Sequence, residues 1–142
     1  MEERRAARIG TVSGLALLAG GTAVAAVAGG AHSIFATVLL GLLALGMSHA
    51  LVVEIRRQAE RRVAGWARQD SINTFLLGFW AEAALIMTII GSSPMPVRAV
   101  GLALTIGYAA SCGYFVTLRR RTIATLTQPA PAPTRDVPLP QA

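Results

Sequence analysis

Glu82 stands in the middle of an apolar segment, residues 72–90, with Phe75, Gly78, Phe79, Leu85, Ile86 and Ile89 one or two helical turns away. An ionisable side chain near a bilayer midplane costs about 2.5–3.5 kcal/mol on insertion scales, so it is expected to face the inside of a helix bundle. Two chemistries suit it there. The carboxyl serves as a proton or cation site on a transport path, or it hydrogen-bonds across a helix interface as glue. Tyr108, in another apolar segment, is the expected partner, with Thr105, Ser111 and Thr22 as further donors. His49 lies one turn inside the end of a third segment and is expected to pack against Asn73 or Thr74, with a proton shuttle as the alternative. Glu82, Tyr108 and His49 are thus the candidate proton or cation site.

A different chemistry belongs to residues 54–69, where Arg56, Arg57, Arg61 and Arg62 cluster. Ile55, Ala59, Val63 and Trp66 recur there at i, i+4, i+8 and i+11. This spacing predicts a short amphipathic helix whose Arg residues contact a partner or anionic lipid, with Trp66 anchored among headgroups. Arg56 and Glu60 are expected to pair at i,i+4, a contact worth ~0.2–0.5 kcal/mol. Asp70 or Ser71 is expected to cap the helix that follows.

The composition sets the frame for both sites. The 142 residues are 54% hydrophobic and 14% charged, with mean hydropathy +0.55, where ordinary globular domains carry about 25% charged residues. That excludes a disordered chain and argues against a water-soluble domain. A net charge of +6 would suit nucleic acid in a soluble protein, but the Arg residues sit between apolar blocks, where such charge orients membrane spans. No nucleic acid is therefore expected. Cys112 has no second Cys to pair with, and two His at scattered depths make no metal site. Nucleotide-binding, HExxH and GxSxG motifs are absent, so the expectation is a protein without cofactor, metal or catalytic activity.

Four apolar segments, about 9–28, 34–53, 72–90 and 97–118, have the ~20 residues a transmembrane helix requires. The expected fold is an all-α integral membrane protein, a four-transmembrane-helix bundle over residues 1–127 with an amphipathic cytoplasmic linker and a disordered Pro-rich tail, 128–142. Twelve Arg residues fall in the two tails and the middle connection, whereas Arg98 alone falls in the opposite connections. Positive charge keeps its side cytoplasmic, which predicts a multi-pass protein of the cell membrane with both termini inside. The basic start, the apolar stretch and Ala26-Val27-Ala28 before Gly29 also fit a cleaved leader, which would leave three spans in the same orientation. Small residues spaced four apart, such as Ala16 with Gly20 and Gly107 with Ser111, place the first and fourth spans at the bundle centre or at an oligomer interface.

The layout of four short spans with one midplane carboxyl resembles the small multidrug-resistance transporters. The acid of that family stands in the first span, which here has none, so no family is assigned. The leading expectation is a non-catalytic accessory or scaffold subunit that presents a basic cytoplasmic face to a partner. Its partners are the lipid bilayer and either itself, as a homo-oligomer, or another membrane protein. The alternatives are an oligomeric small transporter or proton-coupled channel using Glu82, and a holin-like hole-forming protein.

Overall fold

Long runs of Ala, Leu, Val and Gly with little Pro leave the backbone few options besides helix, and the computed structural model is helical in every regular element of residues 11–28, 33–90 and 92–129, which it describes. The helices are α1 (Thr11–Ala28), α2 (Ile34–Ala59), α3 (Arg68–Ile89) and α4 (Met95–Thr127). All four are long and apolar enough to cross a membrane. The shortest, α1, covers about 27 Å at 1.5 Å per residue, and α4 about 50 Å. Ser33 starts α2 by accepting the Ala36 N–H on its hydroxyl at 3.2 Å. Pro94 and Pro96 fall at the start of α4, where a missing N–H costs nothing.

The helices pair as two hairpins, α1 with α2 and α3 with α4. Contacts of α4 with α1 and α2, and of α1 with α3, join the hairpins, whereas α2 and α3 touch only marginally. The close crossings use small residues. At Gly20 a Cβ would overlap the Tyr108 hydroxyl, and at Gly101 it would lie 2.6 Å from the Thr88 hydroxyl. Tyr108 donates to the Ala16 carbonyl, and Trp80 Nε1 donates to Ser13 at 3.0 Å. Val12, Ala16, Leu51, Ile55, Leu77, Ala84, Tyr108 and Phe115 form the core. The exterior is apolar, with Phe35, Leu45, Phe75 and Met95 exposed, while Gln58, Asp70, Asn73 and Arg119 are buried.

The connection between α2 and α3 departs from the amphipathic helix expected over 54–69. α2 runs on through Ile55 to Ala59, but residues 61–67 are not helical. Gly65 adopts φ +128°, a left-handed conformation that suits glycine. The carbonyls of Arg61, Val63 and Gly65 are drawn to Arg119 instead of a following helical turn. Capping also differs: Ala67 is the N-cap of α3, and Asp70, three residues inside, accepts the Ala67 N–H at 2.9 Å. Asp70 thus supplies the backward half of a capping box. At the far end α4 continues nine residues past Leu118, to Thr127. The start of the first expected span, the connection 29–32 and the Pro-rich tail from residue 130 lie outside the described residues.

Candidate functional site

The midplane site does not assemble. Glu82 is exposed on the outer face of α3, a correction to the inward orientation expected for it. The reason is rotational. α3 buries Asp70, Asn73, Leu77 and Ala84, and at about 100° per residue Glu82 is carried to the far side of both Leu77 and Ala84. Phe75, Phe79, Ile86 and Ile89, its neighbours on that face, are exposed with it. Tyr108 is engaged with Ala16, while Thr22 and Thr105 bond to their own helices at Leu18 and Gly101. His49 is exposed as well, and the residues expected beside it bond elsewhere: Asn73 to Gln58 at 2.6 Å, Thr74 to the Asp70 carbonyl at 2.8 Å. Cys112 packs at the edge of the core, its Sγ 3.6 Å from the Thr74 carbonyl. Among the described residues, no three His, Cys, Asp or Glu side chains come together.

Polar chemistry gathers instead where α2, α3 and α4 share their Arg-rich ends. Arg119 has no exposed surface and uses all five of its N–H groups. Nε donates to Asp70 Oδ2 at 3.0 Å. Nη1 reaches the carbonyls of Ala59 at 3.5 Å and Arg61 at 2.7 Å. Nη2 reaches those of Val63 at 3.1 Å and Gly65 at 2.9 Å. One side chain of α4 therefore stands in for the hydrogen-bonding partners that the irregular connection lacks. Asp70, also without exposed surface, takes Arg61 Nη2 on its other oxygen at 2.7 Å.

Arg61 carries this cluster outward, donating to the Gln58 carbonyl at 3.0 Å and to the Gln69 side chain. A second cluster continues along α2. Glu54 accepts from Arg57 Nε and Nη2, from Gln58 Nε2 and from the Thr11 hydroxyl, each at 2.9 Å. Gln58 joins the clusters, because its amide oxygen also accepts from Asn73. The expected Arg56–Glu60 pair is replaced by Arg57–Glu54 at i,i+3, and Arg56 donates to the Tyr114 hydroxyl at 3.4 Å. Trp66 is half-exposed and donates to Ser71 at 2.9 Å.

These contacts leave a cavity of about 480 Å³ beside the connection, lined by Arg57, Arg61, Arg62, Gln58 and Gln69 together with Val63 and Ala67. Among the described residues, no acidic side chain lines it. Four of the five residues proposed from sequence for the basic face, Arg57, Arg61, Arg62 and Trp66, thus lie in or next to one connection, whereas Arg56 turns toward α4. Sequence reasoning missed Arg119 and gave Asp70 only a capping role. Both continue buried stripes, Gly101–Tyr108–Phe115–Arg119 on α4 and Asp70–Asn73–Leu77–Ala84 on α3, and that register was the available signal. Compared with protein-family models, curated proteins and solved structures, the chain matches none.

Proposed function

We propose that the chain is a small, non-catalytic, multi-pass protein of the cell membrane, with both termini cytoplasmic, which serves as an accessory or scaffold subunit. The apolar exterior of four long helices suits hydrocarbon, where every backbone polar group must be satisfied within the protein. The bias of Arg toward one end supports the orientation. The observation that carries the reading is Arg119, whose five hydrogen bonds fix residues 59–65 in one shape. A fixed connection presents Arg57 and Arg61, both hydrogen-bonded in place, as a preformed basic surface beside Arg62, and preformed surfaces bind with less entropic cost of ordering.

Migration in native membranes solubilised with mild detergent tests this. The chain is expected in a complex larger than its purified form, and the double substitution Arg57→Gln/Arg62→Gln should release it while costing the fold about 1 kcal/mol or less, the worth of the part-exposed Arg57–Glu54 pair. Identical migration of native and purified chain, or a complex indifferent to both substitutions, overturns the reading.

A second reading has its own observation. Because Glu82 faces outward, a proton path through it would run between copies of the chain. Proton flux in proteoliposomes that is present for the native chain and absent for Glu82→Gln would favour this oligomeric transporter.

A further inference from the structure

We infer that the cavity lined by Arg57, Arg61 and Arg62 is a binding site for a phosphate ester. The inference deepens the reading above and rests on it for the side of the membrane on which the cavity opens. Three guanidinium groups line one space, and among the described residues no carboxylate does; Glu54 and Asp70 pair with Arg57 and Arg61 from outside the lining. Arg61 spends three of its N–H donors on Gln58, Gln69 and Asp70, which leaves it two and holds it in place. Arg57 is pinned by two bonds to Glu54 yet is half-exposed. Arg62 is exposed and has no partner among the described residues. The result is two oriented cations and one free to close over a ligand.

Anion chemistry narrows the choice. A carboxylate presents its oxygens in one plane, whereas the tetrahedral oxygens of a phosphate face several directions and can engage guanidinium groups on different sides of one space. A volume of about 480 Å³ exceeds a bare ion and matches the size of small-ligand sites, so the phosphate carries an organic group. Val63 and Ala67 supply apolar wall for it. The same ester chemistry comes from two sources, an anionic phospholipid headgroup or a soluble phosphate ester.

The test uses the full chain in phosphatidylcholine nanodiscs and reads the rise in unfolding midpoint on adding ligand. One arm titrates phosphatidylglycerol into the discs and the other adds glycerol 3-phosphate to the solution. A rise in the first arm alone assigns the site to a lipid headgroup, and a rise in the second assigns it to a soluble ester; either supports the proposal. Arg62→Gln, at an exposed position, should weaken the response about tenfold, the loss of one set of charge-assisted hydrogen bonds. Arg120→Gln, exposed at the same end but outside the cavity, should change it about twofold or less, because a distant charge is screened. Equal weakening by both substitutions means attraction by net charge alone and overturns the proposal, as does the absence of any rise. Should Arg62 matter for the native complex while neither probe raises the midpoint, the occupant is a protein segment: the phosphate site fails and the docking reading stands. A response specific to Arg62 with no native complex means the opposite: the phosphate site stands and the docking reading fails.

Discussion

Asp70 places its two carboxylate oxygens between two cations of different depth, Arg119 Nε at 3.0 Å within the bundle and Arg61 Nη2 at 2.7 Å on its rim. Asp70 and Arg119 have no exposed side-chain surface, whereas Arg61 retains 29%. A charge this deep survives desolvation only when each proton and lone pair finds a partner. Arg119 meets that condition through four backbone carbonyls besides Asp70. The pair therefore ties the end of α4 to the connection and couples the bundle to its basic surface.

Removing Arg119 should be among the most damaging single changes in the chain. Arg119→Met leaves Asp70 buried beside one remaining cation and orphans the four carbonyls, at a cost of about 3–5 kcal/mol. Denaturant titration in mild detergent measures it, and limited proteolysis should show cleavage of residues 60–67 that the native chain resists. A loss under about 1 kcal/mol would mean that water replaces Arg119 without penalty.

The two ion pairs of Asp70 should differ in strength. In double-mutant cycles with Asp70→Asn, Arg119→Met is expected to show a coupling of about 2–3 kcal/mol and Arg61→Gln about 1 kcal/mol or less, since the part-exposed pair is screened. Equal couplings would show that burial does not separate them.

The fold was largely legible because long apolar runs leave little choice of structure: the four helices begin within four residues of the segments read from the sequence, whereas α2 and α4 run on six and nine residues past the expected ends. The site was less so. The stripe Ile55–Ala59–Val63–Trp66 has helical spacing, but a local pattern holds no information about Arg119, fifty-six residues beyond Val63, whose guanidinium takes the carbonyls that would continue the helix. Glu82 was misplaced for a related reason. Its apolar neighbours look alike whether they face lipid or protein, because both are apolar, and only the polar members of the opposite stripe, Asp70 and Asn73, mark the buried side. In this chain buried polarity locates the interior better than hydrophobicity does.

The crossing of α1 and α4 depends on the absence of a side chain at Gly20. Gly20→Ala should destabilise by about 1–3 kcal/mol, because a Cβ there overlaps the Tyr108 hydroxyl. Adding Tyr108→Phe removes the overlapping oxygen and should recover much of the loss. Gly21→Ala, whose Cβ would meet nothing within 4 Å, should instead gain about 0.5–1 kcal/mol from helix propensity. Additive losses at Gly20 and Tyr108 would place the crossing elsewhere.

Glu82 gives the prediction that separates the fold from its assembly. Had the carboxyl been hydrogen-bonded inside the bundle, Glu82→Leu would cost about 1–3 kcal/mol by orphaning its partner. Because it faces outward with Phe79 and Ile86, the substitution should leave the unfolding midpoint of the isolated chain unchanged or raise it. Leucine extends an apolar face and orphans no group among the described residues. Any effect of Glu82→Leu then belongs to contacts between molecules, and it should appear as a change in oligomer size in nanodiscs or native membranes. A large drop in the midpoint of the isolated chain would return Glu82 to the interior and overturn the orientation of α3.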